Sequence, residues 1–136
     1  MDFHDSMAVA ASGMRAQTSR MRIIAENLAN ANSTATRAGE DPYRRQIPTF
    51  QAELDQVTGV RIVRMGGTIA DRAEFRSQYN PGHPAADEQG YVKLPNVNAL
   101  IEMMDMREAQ RSYEANLNVI DAARSMMART IDLLRR

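Results

Sequence analysis

The chain has 136 residues, and its 17 Lys+Arg balance 17 Asp+Glu to a formal net charge of zero. A chain of this length suggests one domain, or one domain with extended ends, and lacks the basic excess by which nucleic-acid binders displace counterions. Because there is no cysteine, disulfides, thiolate metal sites and cysteine nucleophiles are excluded together.

No run of 18 apolar residues suggests a membrane span. Met1-Asp2-Phe3-His4-Asp5 lacks a basic region followed by an apolar one, so no Sec-type signal is expected. The protein is then either cytosolic or exported by a route that needs no cleaved signal. Ten methionines stand against three phenylalanines and no tryptophan. Methionine fills irregular gaps and suits surfaces that repack against several partners, although ordinary helix cores use it too.

The chain reads as three parts: 1–32, 33–96 and 97–136. Between residues 3 and 32 there is no proline and a single glycine, Gly13; residues 33–96 hold all five prolines and the other six glycines; residues 97–136 hold neither. Helix, irregular or β middle, helix is the expected order. In the first part Phe3, Met7, Ala10, Met14, Gln17, Met21, Ile24, Leu28 and Ala31 recur at alternating spacings of four and three. Such a seam predicts coiled-coil packing on a helix of roughly 45 Å. Ala8, Ala10, Ala11, Ser12, Gly13 and Ala16 allow close helix approach on a second face.

The middle begins with a polar connector, Asn32–Pro42. Ile47–Leu54, Gly59–Met65 and Ala73–Tyr79 predict strands, the last pairing with the second, and Gly66-Gly67 predicts a turn. Asn80-Pro81-Gly82-His83-Pro84 forms a turn cluster. The last part repeats the seam in Ala99, Met103, Met106, Gln110, Tyr113, Leu117, Ile120, Arg124, Met127, Ile131 and Leu134, with Asn96 or Asn98 as the expected cap. Apolar residues also lie off this seam, so the helix has more sticky surface than one partner helix needs. The expected fold is therefore mainly α with a small β region: two long terminal helices packed as an antiparallel coiled coil around a small central hairpin or sheet.

Chemistry is sparse. His4 and His83 are the only histidines, and His83 reads as a solvent-facing turn residue rather than one of the three or four rigid ligands a zinc site needs. Asp87 and Glu88 are adjacent and so point apart in an extended segment. No nucleophile elbow, phosphate loop or dinucleotide motif is present. Arg15, Arg20, Arg22, Arg37, Arg44 and Arg45 read as solvated faces and intersubunit ion pairs. No catalytic residue, metal or cofactor is expected.

Ile24-Ala25-Glu26-Asn27-Leu28-Ala29-Asn30-Ala31-Asn32 resembles the N-terminal signature of bacterial flagellar rod and hook proteins. The stretch from Tyr79-Asn80-Pro81-Gly82-His83 through Pro95-Asn96-Val97-Asn98 is more specific and resembles proximal rod proteins of the C type, as do Pro42-Tyr43-Arg44-Arg45 and Arg111-Ser112-Tyr113-Glu114-Ala115-Asn116. The resemblance implies a structural subunit of the flagellar basal-body rod, which transmits motor torque to the hook. It implies export through the flagellar type III apparatus into the periplasm with an uncleaved signal. It implies as partners copies of itself, other rod subunits and the adaptor joining the rod to the MS ring, without nucleic acid or direct membrane insertion. The expected assembly residues are Met14, Met21, Ile24, Asn27, Leu28, Asn30, Tyr113, Leu117, Ile120, Met127, Ile131 and Leu134. A short rod protein of the B type is the near alternative, and a helical adaptor or chaperone with a Met-rich groove is the distant one. A small hydrolase has no residue constellation behind it.

Overall fold

The computed structural model describes residues 2–136. Helix α1 spans Phe3–Ala29; strands β1 (Gln46–Leu54), β2 (Arg61–Ala70), β3 (Arg76–Tyr79) and β4 (Tyr91–Leu94) follow; helix α2 spans Ala99–Leu134. Two terminal helices with a small β region between them are what the spacing predicts.

Side chains set the helix ends. At the start of α1, Asp2 Oδ1 accepts from the Phe3 N–H at 2.6 Å, and Asp5 Oδ2 accepts from the Asp2 N–H at 3.1 Å. These two contacts satisfy donors that the first turn leaves open. At its end, the Asn30 amide folds back to donate to Glu26 O at 2.8 Å. Asn98 caps α2, its Oδ1 accepting from the Leu100 N–H at 3.1 Å. Asn96, the other candidate, instead accepts from the Arg45 N–H and donates to Asp71 O and Ala73 O.

The strands pair differently from the expectation. β1 pairs with β2, and β3 pairs with β4 in an antiparallel register of Arg76 with Leu94 and Tyr79 with Tyr91. Ala73–Tyr79 therefore takes its partner from the four-residue stretch after Gly90, which is too short to announce itself by alternation. Gly66 and Gly67 lie inside β2 rather than in a turn. Gly67 has φ of 106°, so glycine supplies an unusual torsion within the strand while the chain reverses between Asp55 and Val60. There the Asp55 N–H donates to Val60 O at 2.9 Å.

The chain forms two compact units. The first takes the chain up to Met21, Thr49–Gly67 and Arg107–Arg136; the second takes Arg22–Pro48 and Thr68–Met106. In the first, the buried side chains are small: Ala10, Ser12, Ala16, Ala109 and Ala123. They bring the helices close, and a Cβ on Gly13 would lie 2.8 Å from the Asn116 amide nitrogen. Arg20 reaches Glu108 at 3.9 Å, so within this unit the helices run antiparallel. Ser12 Oγ also accepts from the Val63 N–H of β2 at 3.2 Å. The second unit buries Ile23, Ile24, Ala31, Val92 and Val97 together with two polar residues, Asn27 and Glu102.

Candidate assembly surfaces

In the first unit the inward side of α2 is marked by Ala109 and Ala123, both at most 2% exposed, with Asn116 between them against Gly13. The apolar stripe lies one residue later. Leu117 is 40% exposed, Ile131 54% and Leu134 81%, and Met127 is also exposed. Val119 and Met126 are also exposed, and so is Leu133, on roughly the opposite side of α2 from Leu117. Of the remaining expected residues in this unit, Met14, Met21, Tyr113 and Ile120 are half-buried. Met14, Tyr113 and Ile120 line a groove with Ala11, Arg15, Thr18 and Ser19. The enclosed Oε1 of Gln17, the polar interruption of the α1 seam, finds no hydrogen-bond partner.

The physical meaning of the offset is plain. Small residues let α1 and α2 approach closely, and the large apolar residues are left over for something else. An exposed Leu or Ile alone would need no explanation. From Arg124 to Leu134 every side chain of α2 is exposed, so Met127, Ile131 and Leu134 are open because nothing among the described residues covers this end of the helix.

The second unit is organised around polar groups. Asn27 uses all the hydrogen-bonding capacity of its amide. Its Nδ2 donates to Gln46 O at 2.9 Å and to Glu102 Oε2 at 3.4 Å, while its Oδ1 accepts from Tyr43 Oη at 2.7 Å and the Gln46 N–H at 3.0 Å. Glu102, 1% exposed, is held by the Arg45 Nε–H. Arg45 also meets Asp71 at 3.4 Å and Asp105 at 3.7 Å. Burial works against the Arg45 charge, but hydrogen bonding and attraction from Glu102 and then Asp71 outweigh it and raise its pKa. Burial, then the charges of Glu26 and Glu102, holds the Tyr43 phenol above its ordinary value, which keeps it a donor to Asn27.

Further side chains fasten backbone segments of this unit. Arg44 donates to Asp71 O at 2.9 Å and lies 4.2 Å over the Phe75 ring. Arg76 spans Ala31 O at 2.9 Å and Pro95 O at 3.2 Å. These contacts correct the reading of Arg44 and Arg45 as solvated or intersubunit groups. His83 is corrected as well: it is half-buried, with Nδ1 accepting from the Ala85 N–H at 3.0 Å and Nε2 3.2 Å from Thr34 Oγ1. Ile24 is buried, Leu28 and Asn30 are half-buried, and Leu100, Ile101, Met103 and Met104 lie exposed on the first turns of α2.

Sequence reasoning singled out Asn27 but missed Glu102 and the internal role of Arg45. Glu102 had a legible signal: it is a lone carboxylate in the run Leu100-Ile101-Glu102-Met103-Met104. Among the described residues no cluster of three or more His, Asp or Glu side chains is placed to hold a metal ion. No described helix is long and apolar enough to cross a membrane.

Capped terminal helices, a small β region and exposed apolar residues along α2 fit a structural assembly subunit, and the comparisons say of which kind. The family model described as "Flagella basal body rod protein" matches residues 7–35, and that described as "Flagellar basal body rod FlgEFG protein C-terminal" matches residues 88–133. The flagellar basal-body rod protein FlgC of Agrobacterium fabrum is 55% identical over 127 residues, covering 93% of this chain and 91% of that protein. FlgC of Salmonella typhimurium is 38% identical over 125 residues, covering 92% of each. FlgC of Aquifex aeolicus is 37% identical over 132 residues, covering 97% of each. The chain belongs to the FlgC family of flagellar basal-body rod proteins, as a structural rod subunit of the flagellar basal body.

Proposed function

We propose that the chain polymerises through its terminal helices into the proximal rod, which carries motor torque to the hook without catalysing a reaction. The observation that carries this reading is the stripe of Leu117, Met127, Ile131 and Leu134, apolar and exposed on a member of a rod-protein family. Burying each such side chain against a neighbour contributes roughly 1.5–3 kcal/mol, so a few per subunit suffice for a stiff tube. Neighbours packed head to tail by a contact that does not close generate a helical filament. Met14, Met21, Tyr113 and Ile120 serve both the internal packing and the seam. Copies of the chain and other rod subunits are the partners; the adaptor to the MS ring and the type III export apparatus follow from the family resemblance.

The decisive experiment is Leu117→Asp in a motile host. The expected result is a soluble chain with native helicity, basal bodies arrested at the rod, and no swimming. Normal swimming would remove the stripe from the assembly interface. The same loss with an unfolded chain would place Leu117 in the fold instead.

A further inference from the structure

We propose that Asn27, Glu102 and Arg45 act as a register lock on the antiparallel helix pair. The inference concerns the chain itself and does not depend on which structure it assembles into. The need for a lock follows from the packing around Gly13. The residue facing it is Asn116, whose heptad mates on α2 are Ala109 and Ala123. Both are small and both are buried. A slip of one heptad in either direction brings an alanine opposite Gly13, with no clash and little change in apolar burial. Small side chains that permit close approach specify register weakly.

The polar cluster has the opposite character. Asn27 has every donor and acceptor committed, to Tyr43, to both backbone groups of Gln46 and to Glu102. Glu102 has its other oxygen on Arg45. A slip of one heptad would remove Glu102 from Asn27 and Arg45 and put Ala109 in its place, or, in the other direction, Pro95 from before the start of α2. The buried carboxylate and amide would then lack partners, which costs far more than misplacing an alanine. A single buried polar residue that sets register in an otherwise permissive helix interface is the best-attested use of such groups. Arg45 is a positioning residue in this device, since it fixes the Glu102 carboxylate that meets Asn27.

Because the chain has no cysteine, engineered disulfides read the register without background. Three full-length reporters suffice: Gly13→Cys with Asn116→Cys; Gly13→Cys with Ala109→Cys and Asn116→Ala; and Gly13→Cys with Ala123→Cys and Asn116→Ala. Each is oxidised and its crosslink quantified by mass spectrometry, with and without Asn27→Leu plus Glu102→Leu. Arg45 keeps Asp71 and Asp105 as partners in that double change. With the lock intact, only the 13–116 bond is expected. With it removed, the 13–109 or 13–123 bond is expected to rise by about tenfold or more relative to 13–116. Glu102→Gln, which keeps one acceptor oxygen and so one of the two contacts, should raise the slipped bonds less than Glu102→Leu does. Persistence of 13–116 as the single product in the unlocked helical chain would overturn the proposal, and so would absence of every crosslink in the intact chain. If the double change loses helicity by circular dichroism, Glu102→Leu alone carries the same test, since Asn27 keeps its bonds to Tyr43 and Gln46.

Discussion

The first unit is held by small apolar residues and leaves its large ones outside; the second is held by buried polar residues and hydrogen bonds to backbone. In the first, Ala10, Ala16, Ala109 and Ala123 are the buried groups, and each contributes little surface. In the second, Asn27, Arg44, Arg45, Arg76, Asn96 and Glu102 fasten segments distant in sequence. The contrast separates two tasks. A region whose stability rests on saturated polar contacts is intolerant of change, although it too leaves Leu100, Ile101, Met103 and Met104 exposed. A region that fully buries only small side chains gains little from its own helix contact.

The comparison can be broken by mutation, beginning with the largest effect. Arg45→Ala leaves the Glu102 carboxylate buried beside Asp71 and Asp105 without a counter-charge, and is expected to cost about 3–5 kcal/mol in denaturant unfolding. Its counterpart in the first unit, Arg20→Ala, loses a long contact to the largely exposed Glu108 and should cost under about 1 kcal/mol. Equal losses would erase the distinction between the units.

Gly90→Ala should cost about 1–3 kcal/mol. Gly90 has φ of +84°, which strains any other residue, and an added Cβ would lie 2.9 Å from the Tyr79 ring, so that ring must shift; thermal melting checks it. Asn98→Ala removes the α2 cap and should cost about 1 kcal/mol, read as an earlier loss of helicity.

Tyr43→Phe tests the polar knot by pH. The folded chain holds the Tyr43 proton more tightly than the unfolded chain does, because the folded pKa lies above tyrosine's ordinary 10.0. That stability is fully present below the unfolded pKa and is lost as pH rises through the folded one. Tyr43→Phe should therefore lower stability at pH 7 by about 1 kcal/mol, the worth of one hydrogen bond, and flatten the alkaline decline. An unchanged alkaline slope would detach Tyr43 from it. The smallest effect on stability is expected from Ile131→Asp, within about 0.5 kcal/mol because the side chain is exposed, while rod assembly fails.

Both helices were legible in advance because their periodicity extends over many turns, and the α2 cap was legible because a cap is local. The β region was less legible. β4 has four residues, too few to show alternation, and Gly66-Gly67 carries the same letters whether it turns a chain or lies within a strand. Asn27 was legible as part of a motif, but its partners Tyr43, Gln46 and Glu102 lie 16 to 75 residues away. No spacing rule connects them.

The sequence by itself determined that two long helices, the second with Asn96 or Asn98 as its expected cap, flank a glycine- and proline-rich middle, that the second carries more apolar surface than one contact uses, and which family the chain resembles. Those properties are local or compositional, and they survive whatever the chain does in three dimensions. Only the tertiary structure decided which stripe faces in and which faces out. The apolar seam through Leu117 and the small stripe through Ala109 and Ala123 are one residue apart on the same helix, and either pattern is helical. The choice between them rests on close approach at Gly13 and on a buried carboxylate that must reach Asn27 and Arg45, and both are contacts between segments far apart in the chain.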